Sequence, residues 1–250
     1  MNKETDIKAS ESDQRTLLTY SVLTGLTPLI PLPIVDDLAK TYFRRRLIRS
    51  LAESHRLTLS RDVLDSLSRD RESGCLGGCF TQLLLYPLKK IFRKVFYFLE
   101  WKRAIDLASH TYHYGYLVDY TFREGLIASL TGQGKSMDEV SMAIDKVCLE
   151  APIKPVERAV GASFRQSKAV LLSAVQIMEQ SFKRIAGKPD EEKVATAVGA
   201  VEGQEKQEIT GLIDRLQKMI GNIPESHFRD LRARLDAQLD PTQNRAKGAR

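Results

Sequence analysis

The chain has 250 residues, of which 42% are hydrophobic and 28% are charged, which excludes a generally disordered protein and leaves room for one large domain or two small ones. Its formal net charge of +6 is uneven, because residues 38–103 hold 15 Lys/Arg against 6 Asp/Glu. Such a basic block suits anionic lipid, nucleic acid or an acidic protein partner. Three cysteines are too few for a disulfide framework and no secretory signal is visible, which favours a reducing, cytosol-facing environment.

The N-terminal region joins a polar tail to a long uncharged stretch. Residues 1–13 are acidic and are predicted to be a disordered tail. Residues 16–35 carry no charge over 20 positions, a length that would span a bilayer. The prolines from Pro28 to Pro33 interrupt the stretch, so we predict a helix to about Leu26 and then an extended corner. Insertion into a bilayer and burial in a soluble core both remain open for this stretch.

The next predicted helix carries a cluster of arginines. Asp36 and Asp37 stand at its start, where carboxylates favour the positive end of the helix dipole. Arginines occupy the middle of this helix. Arginine side chains bind the phosphate groups of nucleic acids and of lipids. The candidates for contact with a membrane are Arg44, Arg45 and Arg46.

A second uncharged stretch, residues 74–88, runs directly into an amphipathic basic segment over 88–105. Apolar residues recur there at three- and four-residue steps, and cations fill the other side, which is typical of a helix lying in a membrane interface. The alternative is a surface helix that packs its apolar stripe on the core. The membrane-contact candidates in this segment are Lys89, Lys90, Phe92, Arg93, Lys94, Phe96 and Trp101.

The C-terminal half is predicted to form a helical hairpin or bundle. Residues 156–185 follow a heptad-like seam typical of a coiled coil, with Ser167 and Ser181 as weak points, and another helix covers 209–220. The region after residue 240 is basic and is predicted to be a disordered tail. The candidate contacts with a protein partner or a second copy are Phe164, Leu171, Met178, Ile185, Leu212 and Leu216.

One loop ends like a phosphate-binding loop. Residues 129–136 read SLTGQGKS, but Ser129 stands where that loop needs glycine, and no buried strand precedes it. Ser136 followed by Glu139 forms a capping box instead, and we predict a helix start there.

Four residues have the right types for a zinc site, namely Cys75, Cys79, His110 and His113. The C-x3-C spacing is looser than usual, and the small residues around the cysteines equally suit close helix packing. We favour packing and expect neither a metal nor another cofactor. The two remaining histidines have no neighbouring nucleophile in sequence, so no catalytic residue is assigned.

The segment 26–57, LTPLIPLPIVDDLAKTYFRRRLIRSLAESHRL, places a helix after a proline corner. The elements that carry a resemblance are Pro31, Pro33, Asp36, Leu38, the helix 46–52, and later Thr111, Tyr112 and Gly115. On these residues, 20–128 resembles a bacterial helical domain family of unknown function, which includes GTPase-associated hairpin domains and EcsC-like membrane-associated proteins. The resemblance implies a bacterial inner-membrane-associated protein and transfers no chemistry. The cations over 89–94 would be costly inside a bilayer, which favours surface binding over a spanning hairpin.

The sequence therefore predicts an all-α helical bundle with two apolar helical segments and a C-terminal helical hairpin. Residues 14–130 would form an apolar and basic domain, and residues 136–240 would form the hairpin. The predicted function is a non-enzymatic, membrane-associated scaffold or adaptor on the cytoplasmic side of the bacterial inner membrane. A soluble helical interaction module in the cytoplasm is the alternative. Nucleic-acid binding through the basic block 38–103 comes third and is not favoured.

Overall fold

The computed structural model describes residues 3–30, 35–69, 93–132, 134–183 and 209–239. All regular elements in these ranges are helices, which confirms the predicted all-α bundle. The helices are α1 (Lys3–Leu26), followed by a 3₁₀-helix (Thr27–Leu29), α2 (Val35–Ser54), α3 (Arg61–Ser68), α4 (Arg93–Arg123), α5 (Leu126–Gly132), α6 (Met137–Glu150), α7 (Lys154–Gln166), α8 (Lys168–Lys183), α9 (209–221) and α10 (Glu225–Leu239).

The polar N-terminal segment differs from the prediction. Residues 3–13 belong to α1, where the sequence predicted a disordered tail. This segment contains two Lys, two Glu and one Ala, which favour helix, and it continues without a break into the packed part of the same helix. A helix that is already nucleated by its packed part extends at little further cost.

The first uncharged stretch lies in the core. Leu17, Leu18, Leu23 and Leu26 of α1 are buried, and the helix ends at Leu26 as predicted. Their burial against α2 and α4 accounts for the absence of charge in this stretch. Within the described residues, each helix is too short or too polar to cross a bilayer.

Gly25 sets the closest approach between α1 and α4. A Cβ placed on Gly25 would lie 2.5 Å from the Cβ of Ala108 and 2.7 Å from the carbonyl oxygen of Ala104. Both neighbours are fixed to the α4 backbone, so relief requires the two helices to separate. A small residue on each side thus holds α1 tightly against α4.

We expect Gly25→Ala to lower the free energy of unfolding by about 1–3 kcal/mol, because the overpacking outweighs the better helix propensity of alanine. Gly161→Ala in α7 is the matched control. Its Cβ would meet Ile105 and Arg165 at an ordinary 3.7 Å, so a gain of about 0.5–1 kcal/mol is expected. Urea unfolding measures both changes, and equal effects of the two substitutions would contradict the close-approach argument.

Helix α4 is the centre of the bundle. It packs against α1 and α2 on one side and against α6, α7 and α10 on others. Buried residues from both predicted halves form one continuous hydrophobic core, which extends from Leu17 to Leu239. The regions predicted over 14–130 and 136–240 therefore share this core.

The predicted C-terminal helices are present, with one break. Ser167 has φ −111° and ψ 22° and separates α7 from α8 at one of the predicted weak points of the seam. The backbone N–H of Ser167 still donates to Ser163, and that of Leu171 donates to Ser167, so the chain is kinked rather than folded back. Residues 70–92, 184–208 and 240–250 lie outside the described residues, and so do the predictions made for them, among them the second uncharged stretch and the C-terminal tail.

The partner-contact candidates are mostly core residues. Their apolar surface is covered by the chain's own helices, because the seam that resembles a coiled coil packs inside this bundle. These side chains are therefore not on a surface that a partner reaches, which corrects their assignment as contacts. The buried residues are Phe164, Leu171, Met178, Leu212 and Leu216, and Ile185 lies outside the described residues.

Candidate functional site

An exposed apolar pair lies near the start of α4. Phe98 is 68% exposed and Leu99 is 52% exposed, whereas most large apolar side chains of the described residues are covered. Lys102 and Arg103 follow one turn later and are also exposed. Phe98 and Lys102 are four residues apart and so share one side of the helix. We call Phe98, Leu99, Lys102 and Arg103 the α4 patch.

The α4 patch overlaps the predicted amphipathic segment but uses different apolar residues. Trp101, a predicted membrane contact, is partly buried because its ring meets Phe164 of α7 edge-on at 6.0 Å between centroids. That contact is a core contact and corrects the assignment of Trp101. The other candidates of the segment lie outside the described side chains, namely Lys89, Lys90, Phe92, Arg93, Lys94 and Phe96.

The predicted arginine cluster of α2 does not face solvent. Arg44 is only 5% exposed, and its Nη2 lies 3.1 Å from the Oδ1 of Asp145 in α6. Arg45 pairs with Asp65 of α3 at 2.6 Å, and Arg46 is half-buried. Because the guanidinium groups of Arg44 and Arg45 pair with carboxylates of other helices, the prediction that these two residues contact a membrane is corrected.

Arg44 belongs to a buried polar cluster that joins four helices. Its guanidinium stacks on the ring of Tyr114 in α4, 3.7 Å from the centroid. The Tyr114 hydroxyl donates to the carbonyl of Leu67 at 2.7 Å and lies 3.1 Å from the hydroxyl of Ser141. Burial is the main cause that raises the pKa of Tyr114, so the phenol stays protonated and keeps donating.

A second polar cluster fastens α1 and α2 to the C-terminal end of α4. The Nε2 of His55 lies 2.7 Å from the Oδ1 of Asp119, and Arg123 donates to the other oxygen of the same carboxylate. Burial, and then the charge of Asp119, raise the pKa of Asp13, while a hydrogen bond with Ser54 acts in the opposite direction. Sequence reasoning missed this cluster, because its members are far apart in the chain.

Among the described residues, three side chains of this cluster lie close enough together to hold a metal ion. Potential ligand atoms of Asp13, His55 and Asp119 lie within 4.8 Å of one another. The guanidinium of Arg123 already balances the charge of Asp119, and His55 completes that carboxylate's hydrogen bonding. These contacts explain the cluster as a clamp between helices.

Two histidines meet between α4 and α10. The Nδ1 of His113 lies 2.9 Å from the carbonyl oxygen of Ser109, which only accepts, so Nδ1 carries the proton. The Nε2 of His113 therefore accepts, and the Nε2 of His227, 3.1 Å away, donates to it. Burial lowers the pKa of His113 to about 4.

This pairing revises the place of His113 in the zinc hypothesis. Both ring nitrogens of His113 are engaged with Ser109 and His227, and Cys75 and Cys79 lie outside the described residues. The H-x2-H pattern gave no indication that His113 forms a hydrogen bond with His227, because the two residues are 114 positions apart in the chain.

The loop before α6 has the geometry of a helix cap. The hydroxyl of Ser136 accepts from the backbone N–H of Glu139, and the Glu139 carboxylate accepts from the backbone N–H of Ser136. This reciprocal pair confirms the predicted capping box. Helix α5 precedes the loop where a phosphate-binding loop needs a strand, and the Lys135 ammonium donates to the carbonyl of Leu239.

Compared with known proteins, the chain matches no family model, no curated protein and no solved structure. Of the surfaces described above, the α4 patch combines exposed apolar side chains with adjacent cations, and it is the candidate functional site.

Proposed function

We propose that this helical protein is a non-enzymatic scaffold that binds the anionic cytoplasmic surface of a bacterial inner membrane through the α4 patch. The observation that carries the proposal is the exposure of the adjacent residues Phe98 and Leu99 beside Lys102 and Arg103. Aromatic and aliphatic side chains enter the boundary between headgroups and acyl chains, while cations remain among the headgroups.

The two kinds of side chain contribute binding energy of similar size. Full burial of a Phe or Leu side chain is worth about 1.5–3 kcal/mol. Each Lys or Arg held near an anionic surface adds about 1 kcal/mol, an attraction that salt screens. Since the two contributions are comparable, binding should be strongest when the apolar pair and negatively charged lipid are both present, and high salt should weaken it without abolishing it.

The decisive variant is Phe98→Ser combined with Leu99→Ser. We expect it to weaken binding to anionic vesicles roughly tenfold to a hundredfold, because the apolar contribution is removed while all charges remain. Flotation with vesicles of phosphatidylcholine, with and without phosphatidylglycerol, at low and high salt, measures the change. Both residues are exposed, so thermal unfolding of the variant should match that of the parent protein.

The matched control is Met142→Ser combined with Leu149→Ser in α6. These residues are 47% and 63% exposed and lie seven positions apart on one side of that helix. The control removes a comparable exposed apolar area elsewhere on the molecule, so its vesicle binding should be unchanged. Equal losses in both variants would show nonspecific adhesion, and a parent protein that never floats would favour the soluble interaction module instead.

The structure favours this proposal over nucleic-acid binding. Arg44 and Arg45 of the basic block are paired with carboxylates of neighbouring helices, so they are not presented together to a phosphate backbone. The apolar character of Phe98 and Leu99 also has no role in contacting that backbone.

A further inference from the structure

A stripe of cations runs along α7, close to the α4 patch. Lys154, Arg158 and Arg165 are exposed and stand at positions i, i+4 and i+11 of one helical face. Gly161 occupies the position between the last two, at i+7, and has no side chain to cover the surface. The stripe is about 16 Å long at the rise of an α-helix.

The stripe lines a cleft between α7 and α4. The cleft has a volume of about 360 Å³, and Ile105 of α4 lines it together with Gly161. Gly161 lies close to Ile105, since a Cβ on the glycine would be 3.7 Å from the Ile105 side chain. Ile105 is seven residues after Phe98 and three after Lys102, so the α4 patch leads along one helix face into the cleft.

Cations outnumber carboxylates in the cleft. Its lining holds Lys154, Arg158 and Arg165 against the single carboxylate of Glu157. Within the described residues, these three cations form no ion pair, so their charge is not balanced by a neighbouring helix. The cleft therefore presents unneutralised positive charge around an apolar side chain.

The carboxylate of Asp106 in α4 is influenced by charged residues of both the cleft and the α4 patch. Burial, and then the charge of Glu157, raise the pKa of Asp106, while Lys102 acts in the opposite direction. On α4, Lys102 of the patch stands three residues before Ile105 and four before Asp106, so it shares a side of the helix with the residue that lines the cleft. The patch and the cleft are thus neighbouring parts of one surface.

We propose that the cleft between α4 and α7 binds the phosphate headgroup of an anionic phospholipid, with Lys154, Arg158 and Arg165 around the phosphate and Ile105 towards the acyl chains. The inference rests on the proposed function, since it names the lipid group that the membrane-bound protein recognises. Guanidinium and ammonium groups donate charge-assisted hydrogen bonds to phosphate oxygens, and arginine does so through two donors at once.

The test replaces the three cations together, as Lys154→Gln, Arg158→Gln and Arg165→Gln, in the full chain. We expect affinity for vesicles that contain phosphatidylglycerol to fall roughly tenfold to a hundredfold, because each cation near the surface contributes. The matched control is Arg49→Gln, Arg61→Gln and Arg229→Gln, which removes the same charge from exposed positions outside the cleft. Its affinity should change by less than about threefold.

A second pair of vesicles separates phosphate recognition from general charge. Vesicles of equal surface potential are prepared with phosphatidylglycerol or with a fatty acid, whose charge is a carboxylate. The parent protein should prefer the phosphate-bearing vesicles, and the cleft variant should lose that preference. Equal weakening of the cleft variant and the control, or no preference in the parent protein, would overturn the inference. The proposed function would survive that result, whereas a parent protein that binds neither kind of anionic vesicle would contradict the proposed function itself.

Discussion

Replacing Arg44 by methionine should lower the free energy of unfolding by about 3–5 kcal/mol. The substitution leaves the carboxylate of Asp145 without the guanidinium that lies 3.1 Å from it, in a place where little water reaches it. It also removes the cation that stacks on the buried ring of Tyr114. Urea unfolding of the full chain, followed by circular dichroism, measures the loss.

Two further variants separate the buried charge from lost packing. Arg45→Met breaks the more exposed pair with Asp65, for which about 1 kcal/mol or less is expected. The double variant Arg44→Met with Asp145→Leu removes both charges and should recover most of the stability lost by Arg44→Met alone. A single variant as stable as the parent protein, or a double variant no better than the single one, would contradict a buried ion pair.

Acidification from about pH 7 to pH 4 should lower the free energy of unfolding by up to about 3 kcal/mol through His113. In the folded protein, burial lowers the pKa of His113 from 6.5 to about 4. The unfolded chain therefore takes up a proton first as the pH falls. The stability is complete above about pH 6.5 and is lost progressively until about pH 4, where the folded state is protonated as well.

The variant His113→Phe tests this assignment. Phenylalanine fills a similar space and does not titrate, so the stability of the variant should fall less steeply between about pH 6.5 and pH 4. His227 would lose its acceptor, but it is partly exposed and can donate to water instead. Free energies of unfolding are measured in urea across the pH series, and equal slopes for the two proteins would assign the pH dependence to other groups.

The local features of the sequence predicted much of the fold. The capping box at Ser136 and Glu139 was confirmed, because its hydrogen bonds join residues three apart and depend on no other part of the chain. The helix end at Leu26 was likewise predicted, whereas Ser167 was recognised only as a weak point of the seam and not as the end of a helix. These features are decided within a few turns of helix, which is the range over which a sequence pattern acts.

The orientation of the charged side chains was not predictable in the same way. A run of arginines at 44–46 looks like a solvent-facing patch, but the partner of Arg44 is Asp145, which is 101 residues away. His113 and His227 are separated by 114 residues, and no spacing rule relates them. Such pairings are set by the packing of whole helices, which a single sequence does not reveal.

The α4 patch was anticipated in part. The amphipathic pattern over 88–105 indicated an apolar face beside cations, but it did not distinguish Trp101, which packs on Phe164, from Phe98, which is exposed. Adjacent residues of a helix point in directions about 100° apart, so only the positions of neighbouring helices decide that Phe98 and Leu99 are exposed while Trp101 is covered.

The single core shared by both halves of the chain has a consequence for its modularity. Helix α4 packs on α1 and α2 with one part of its surface and on α6, α7 and α10 with the rest. A fragment cut at the glycine-rich loop near residue 133 would expose the apolar faces that the other fragment covers, a condition that promotes aggregation. We therefore expect that neither half folds independently of the other. A tag or fusion partner is better attached at a chain end than inserted between the halves.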